Sequence, residues 1–181
     1  VETMEDVISQ HITSIVQLAG KTIFDEAKRE RRYRGMGTTC VMTYVYDGKG
    51  YVAHVGDSRG YLLRKNRIEQ LTEDHSLVNE RIRAGYLTVE EAKNFRLKNV
   101  ITRSLGFENE VEVDIQIVPL EVGDVIMMCS DGLCNLVEAE QMARVMLENP
   151  LQQATRTLIH MACDAGGDDN ITVVMFRVDE L

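Results

Sequence analysis

The stretch from Val125 to Leu133 constrains the fold more than any other part of the sequence. Its first five residues, Val-Ile-Met-Met-Cys, are apolar without alternation, which is typical of a strand buried on both faces of a sheet. The run stops at Ser130-Asp131-Gly132, so a carboxylate follows directly where a core strand ends. The adjacent glycine permits a sharp exit and a close approach of a ligand to the backbone. On this stretch alone, Asp131 is either a candidate ligand or an ordinary Asp-Gly turn residue.

The size and charge of the chain limit its class. The 181 residues fit one domain with a sizeable core, or at most two small ones, and we predict one domain over 1–181. The net charge of −9 argues against nucleic acid or an anionic membrane as the main partner. No apolar run approaches the roughly 20 residues that span a bilayer, so we predict no membrane segment in this chain. The four scattered cysteines are predicted to be buried thiols of a reducing compartment, which indicates a cytoplasmic protein.

Strands and helices occur in blocks, which predicts an α+β fold with a largely antiparallel sheet system. Residues 1 to about 33 have apolar positions at helical spacing and predict one long helix. Its predicted apolar face is Met4, Ile8, Ile12, Ile15, Ala19, Ile23 and Ala27. The remaining predicted strands are 38–46, 51–55, 61–64, 68–71, 111–117, the Val125 strand and 171–178, with turns at 47–50 and 65–66. Further helices are predicted at 77–82, 88–95, 138–147 and 150–165, the last with Asn149 as its cap.

Three carboxylates occupy matching places in this pattern. Asp57 and Asp131 each follow a strand, and Asp169 precedes the final strand, all among small residues. If these strand ends converge, their like charges need a neutralising cation. Oxygen ligands without neighbouring Cys or His favour Mg²⁺ or Mn²⁺. Among the histidines, His54 is predicted to be a satisfied core residue and His75 a possible neighbour of the site.

Five motifs in order resemble those of the metal-dependent protein phosphatases, the type 2C or PPM serine/threonine phosphatases, and most of all their compact bacterial members. They are Gly35-Met-Gly-Thr-Thr39, His54-Val-Gly-Asp-Ser-Arg59, Leu71-Thr-Glu-Asp-His-Ser-Leu77, Cys129-Ser-Asp-Gly-Leu133 and Gly166-Gly-Asp-Asp-Asn-Ile-Thr172. The resemblance implies an antiparallel β-sandwich flanked by helices on both sides (α-β-β-α). It also implies hydrolysis of phosphoserine and phosphothreonine in proteins by a metal-activated water.

The resemblance also implies roles for individual residues. Asp131 and Asp169 would bind two ions of Mn²⁺ or Mg²⁺, and Asp57 would share a weaker third ion with Asp131. Ser130 and Asn170 would be neighbours of the site, and Arg59 is predicted to hold the Asp57 loop by an ion pair. The segment from Ser76 to about Phe95 would be the flap beside the cleft. The implied partners are phosphorylated proteins, including a serine/threonine kinase or its substrates, and the implied state is a monomer.

Part of the family pattern is not found in this sequence. The family begins with two strands that carry a phosphate-binding arginine and an Asp-Gly-x-Gly-Gly motif, whose aspartate bridges both metals. The near match Asp47-Gly-Lys-Gly50 is followed by Tyr51 and lies in a predicted hairpin. We therefore expect a domain that lacks its N-terminal strands and is inactive by itself. The alternative is a phosphatase-like binding or regulatory domain without catalysis.

Overall fold

The computed structural model describes residues 2–97 and 99–181, with no description of the Lys93 side chain, and contains seven strands and six α-helices in those ranges. The strands are Cys40–Tyr46 (β1), Lys49–Val55 (β2), Arg59–Arg64 (β3), Arg67–Gln70 (β4), Asp114–Pro119 (β5), Val125–Cys129 (β6) and Val173–Arg177 (β7). The helices are Met4–Arg29 (α1), Leu77–Arg83 (α2), Val89–Lys93 (α3), Asp131–Cys134 (α4), Ala139–Glu148 (α5) and Leu151–Asp164 (α6).

The chain divides into two units. The first unit comprises Val1–Cys40, Ala53–Asp57 and Asp74–Ile115, and the second comprises Val41–Val52, Ser58–Glu73 and Gln116–Leu181. One sheet has the order β1-β2-β5 and the other has the order β4-β3-β6-β7. The prediction of an α+β fold built on antiparallel sheets is confirmed.

Strand β6 is the centre of the second unit, as its apolar run predicts. It pairs antiparallel with β3 on one side and with β7 on the other. Ile126 is fully buried among residues of both sheets. Met127, also fully buried, packs in the cluster formed with the apolar residues of helices α4, α5 and α6. Both faces of β6 are therefore covered, which explains why the strand carries no alternating polar residues. The helix layer of this core includes Leu133, Met142, Met146, Ala154, Leu158 and Ala162.

Two tight turns have the backbone expected of two-residue hairpins. Asp47 and Gly48 both have positive φ, and so do Lys65 and Asn66. Positive φ at both central positions is the signature of a type I′ turn, whose twist matches that of the strands. The predicted turn over 47–50 is thus too long, because Lys49 and Gly50 already belong to β2.

Helix α1 in the first unit confirms the predicted long helix and only part of its predicted apolar face. The helix begins at a Thr3–Asp6 capping box and ends at Arg29, and a 3₁₀ turn follows over Arg31–Tyr33; Val1 of the predicted helix lies outside the described residues. Its buried positions are Ile12, Val16 and Gly20, whereas Ile15 is 61% exposed and Ala19 is also exposed. A Cβ built on Gly20 would lie 3.3 Å from the Leu105 side chain, so the contact with the Leu105 segment sets the buried face.

The predicted helices after β4 and β6 are present with adjusted ends. The Thr88–Glu91 capping box of α3 is formed as predicted. Asn149 is not the cap of α6; its side chain donates to Val145 O in the last turn of α5, and Pro150 is the N-cap residue of α6. The strand predicted from Val111 begins only at Asp114. The prediction that all four cysteines are buried is wrong: Cys129 is buried, Cys40 and Cys134 are half-buried, and Cys163 is exposed at the end of α6. None of the described helices has the length and apolarity needed to cross a membrane.

Candidate metal centre

Asp131 lies where β6 ends, as the first residue of the short helix α4. Ser130, just before it, is bonded to the segment that leads into β7: its Oγ donates to Asn170 O (2.9 Å) and accepts from the Thr172 N–H (3.0 Å). The Ser130 N–H also donates to Thr172 O at 3.1 Å. These bonds join the loop of Asp169 to the strand end that carries Asp131. Ser130 and Asn170 are therefore supporting neighbours of the two aspartates.

The negative charge of Asp169 acts on the Asp131 carboxylate. Burial, and then the negative charge of Asp169, raise the pKa of Asp131 above its ordinary value. The Gly132 N–H and the charge of Arg59 act in the opposite direction without cancelling the effect. Asp131 is half-buried, whereas Asp169 is exposed and accepts a hydrogen bond from the Asn170 N–H at 2.7 Å. The structure thus brings two like charges together with incomplete compensation, an arrangement that a cation would relieve.

The donor chemistry of this pair fits a hard divalent ion. Both side chains offer carboxylate oxygens, the ligand type preferred by Mg²⁺ and Mn²⁺. Asn135 Nδ2 lies 3.4 Å from Asp131 Oδ2, a long contact that restrains this oxygen only weakly. The second unit thus contains a candidate metal site, with Asp131 and Asp169 as its candidate ligands.

Gly132 permits the close approach of the two segments. A Cβ built at this position would lie 2.4 Å from Asn170 O, a backbone atom that cannot rotate away. The requirement for glycine in Ser-Asp-Gly is therefore steric, and it arises from a contact with a segment 38 residues later in the chain.

We expect Gly132→Ala to lower the free energy of unfolding by about 1–3 kcal/mol, the usual cost of forcing extra volume into a packed site. Urea unfolding followed by circular dichroism measures this change. Gly50→Ala is the matched control, because its Cβ would meet Leu120 at an ordinary 3.4 Å. Equal losses for both variants would contradict the steric explanation.

Asp57 belongs to the first unit. It follows β2 through Gly56, is half-buried, and forms interactions with other residues. Its assignment as a metal ligand, and the ion pair predicted between its loop and Arg59, stay predictions. Arg59 is observed to donate to Tyr61 Oη at 3.3 Å.

A second group of candidate ligands lies in the first unit: His54, His75 and Asp114, whose donor atoms all lie within 4.8 Å of one another. The two imidazoles stack with centroids 4.6 Å apart. However, the Arg103 guanidinium lies 2.7 Å from Asp114 Oδ1 and 3.0 Å from His75 Nε2, where it already supplies positive charge. This group is better described as a hydrogen-bonded network than as a cation site. His54 is buried as predicted, but no pattern in the sequence indicates that Asp114 and Arg103 lie beside His75.

The chain matches the Protein phosphatase 2C family profile over residues 3–171. It belongs to the protein phosphatase 2C family. Among its relatives are the serine/threonine phosphatase stp of Listeria monocytogenes serovar 1/2a, 40% identical over 173 residues, and the protein phosphatase PhpP of Streptococcus pneumoniae serotype 2, 43% identical over 153 residues. These alignments cover 95% and 84% of this chain, and 69% and 62% of the two relatives.

A solved structure of the same family supports the fold. The catalytic domain of the serine/threonine protein phosphatase PstP in complex with 2 manganese ions superimposes with a TM-score of 0.81 at 33% identity, covering 91% of this chain and 68% of PstP. The predictions of the phosphatase family, of its fold and of a Mn²⁺- or Mg²⁺-dependent enzyme class are confirmed. The chain spans between about three fifths and seven tenths of the length of these proteins.

Proposed function

We propose that this protein hydrolyses phosphoserine and phosphothreonine esters in phosphorylated proteins with the help of bound Mn²⁺ or Mg²⁺. The observation that carries the proposal is the joining of the Asp131 and Asp169 segments through Ser130, where burial and the charge of Asp169 raise the pKa of Asp131. Such cations, when bound, supply a water of lowered pKa and neutralise the phosphoryl oxygens.

The residues of the chain have separate tasks in this proposal. Asp131 and Asp169 hold the cation by their carboxylate oxygens, and Ser130 keeps the two segments in register through its bonds to Asn170 and Thr172. Asp57 is proposed as a further ligand of a more weakly bound ion. Fixed ligand positions matter because misplacing a reacting group by about 1 Å can cost a hundredfold in rate.

The flap from Ser76 to Phe95 is proposed to contact the phosphopeptide. It contains α2 and α3, and Tyr86 within it is 72% exposed with the Arg81 guanidinium 5.5 Å from its ring centroid. An exposed aromatic ring beside a cation suits an extended peptide. We further propose that the phosphorylated partners include a serine/threonine kinase or its substrates, and that the protein acts as a cytoplasmic monomer.

The test is the release of phosphate from phosphoserine and phosphothreonine peptides in the presence of Mn²⁺. We expect turnover in the protein that contains this chain, its abolition by a chelator, and its return on adding Mn²⁺. A phosphotyrosine peptide of the same sequence serves as the control for substrate class. Turnover that continues unchanged in excess chelator would contradict the proposal.

A further inference from the structure

A single residue binds both polar groups of the backbone directly before Asp57. The Gly56 N–H donates to His75 Nδ1 at 3.0 Å, and Gly56 O accepts from the His75 N–H at 2.9 Å. Gly56 has φ of +109°, and a Cβ on it would lie 2.4 Å from the Thr39 side chain. The peptide that leads into Asp57 is thus held in a conformation that requires glycine. His75 binds both the N–H and the C=O of Gly56 in this conformation.

The hydrogen bonds determine the protonation state of His75. Because Nδ1 accepts from Gly56, the ring proton lies on Nε2, which donates to Asp114 Oδ2 at 3.2 Å. Arg103 Nη1 lies 3.0 Å from the same nitrogen, but its acceptor is Asp114 Oδ1 at 2.7 Å. Burial lowers the pKa of His75; the hydrogen bond to Asp114 opposes this, and the positive charge of Arg103 reinforces it. The imidazole is therefore neutral, in one tautomer, at neutral pH.

The same network fixes the orientation of the ring. Asp114 receives Arg103 Nη1 on its other oxygen at 2.7 Å, and the His54 ring stacks on that of His75 at an interplanar angle of 20°. His54 and His75 are both buried, and the Thr102 N–H donates to His75 O at 2.9 Å. Rotation of the imidazole would break the Gly56 and Asp114 bonds together.

We propose that His75 is a positioning residue that sets the place of Asp57 by binding Gly56 through Nδ1. The inference rests on the proposed function in one respect, which is that Asp57 acts as a metal ligand. Replacing a residue that orients a metal ligand through hydrogen bonds changes metal affinity by about 10–100-fold. His75 lies in a family motif immediately before the flap, so the sequence indicates that this segment is close to the site. Only the fold shows that His75 bonds to Gly56.

Two variants distinguish a role of His75 Nδ1 as hydrogen-bond acceptor from a role of the side chain in packing. In His75→Asn the amide oxygen can take the place of Nδ1 and still accept from Gly56, whereas in His75→Gln the amide reaches the place of Nε2 and leaves Gly56 without its acceptor. We expect His75→Gln to weaken the lowest-affinity Mn²⁺ site at least tenfold and to speed exchange of the Gly56 amide hydrogen. His75→Asn should stay within about threefold of the parent protein in both measurements.

The measurements are Mn²⁺ titration followed by electron paramagnetic resonance and amide exchange followed by NMR. Both measurements are made on the protein that contains this chain, with Asp57→Asn and Asp131→Asn as reference variants. If His75→Gln and His75→Asn behave alike while Asp57→Asn loses the weak site, the positioning role is overturned. If Gly56 exchange responds to His75→Gln but neither aspartate variant changes Mn²⁺ binding, the hydrogen-bond role of His75 stands and the proposed ligands are wrong.

One measurement needs no variant and stays informative if the His75 variants fold poorly. Long-range ¹H–¹⁵N spectra of the unmodified protein at pH 7 should show His75 protonated on Nε2 and unprotonated on Nδ1. A doubly protonated ring, or the opposite tautomer, would overturn the proposal, because Nδ1 could then not accept from Gly56.

Discussion

Replacing Asp131 by Asn in the protein that contains this chain is expected to reduce Mn²⁺-dependent turnover by more than about a hundredfold, since replacement of residues outside the ligand shell already costs 10–100-fold. A neutral amide cannot balance the charge of a cation. The same variant should raise the free energy of unfolding in the absence of metal, because it removes a half-buried charge that Asp169 repels. Opposite changes in metal-free stability and in metal affinity distinguish a ligand from a turn residue.

The two effects are measured by urea unfolding with a chelator present and by the Mn²⁺-induced rise in melting temperature. Asp164→Asn is the matched control, because Asp164 is an exposed aspartate at the end of α6 in the same unit. We expect this control to retain the Mn²⁺ response. If Asp131→Asn retained full turnover and bound Mn²⁺ like the parent protein, Asp131 would be only the turn residue that its Asp-Gly sequence also permits.

Replacing Asp124 by Ala is expected to lower the free energy of unfolding by about 3 kcal/mol. The Asp124 side chain is only 2% exposed and receives Arg64 Nε at 2.8 Å, Arg64 Nη2 at 2.6 Å and the Glu121 N–H at 2.7 Å. Removing one partner of a buried pair costs about 3–5 kcal/mol because it leaves the other charge unpaired, and we take the lower end because Arg64 is 27% exposed. Urea unfolding at pH 7 measures the loss.

The matched control is Asp179→Ala, which breaks the exposed pair of Arg177 with Asp179. Exposed pairs contribute little, so we expect no measurable change. The double variant Asp124→Leu with Arg64→Met should recover most of the stability, because well-packed apolar residues replace buried pairs at small cost. A loss in the double variant as large as in Asp124→Ala would show that the cost comes from packing and not from the unpaired charge.

The Asp124 pair also predicts a pH dependence. Burial raises the pKa of Asp124, but the hydrogen bonds from Arg64 and from the Glu121 N–H outweigh burial and leave the pKa below its ordinary value. A carboxyl group with a lowered pKa in the folded state stabilises the fold above the unfolded pKa of about 3.9, and this stability is lost as the pH falls through the folded value. The parent protein should therefore lose more stability than the Asp124→Leu, Arg64→Met variant on acidification below about pH 4.

Most of the fold could be predicted from sequence patterns that depend on neighbouring residues. The uninterrupted apolar run of β6 specified a strand covered on both sides, and Asp47-Gly48 specified a tight hairpin. The Thr88–Glu91 spacing specified a helix start, because capping depends on residues three apart. The errors occurred where a distant contact decides. Ile15 has the spacing of a core residue, yet α1 turns Gly20 towards Leu105.

The candidate site divides in the same way. The sequence by itself determined that carboxylates follow or precede core strands at Asp57, Asp131 and Asp169, and that the motifs around them are those of a phosphatase family. Only the tertiary structure decided that the charge of Asp169 acts on Asp131, that Gly132 must be glycine to clear Asn170, and that His75 bonds to Gly56. The physical reason is that apolar spacing and caps are local properties of the chain. Charge coupling, close backbone approach and the tautomer of a buried imidazole depend on atoms that only folding brings together.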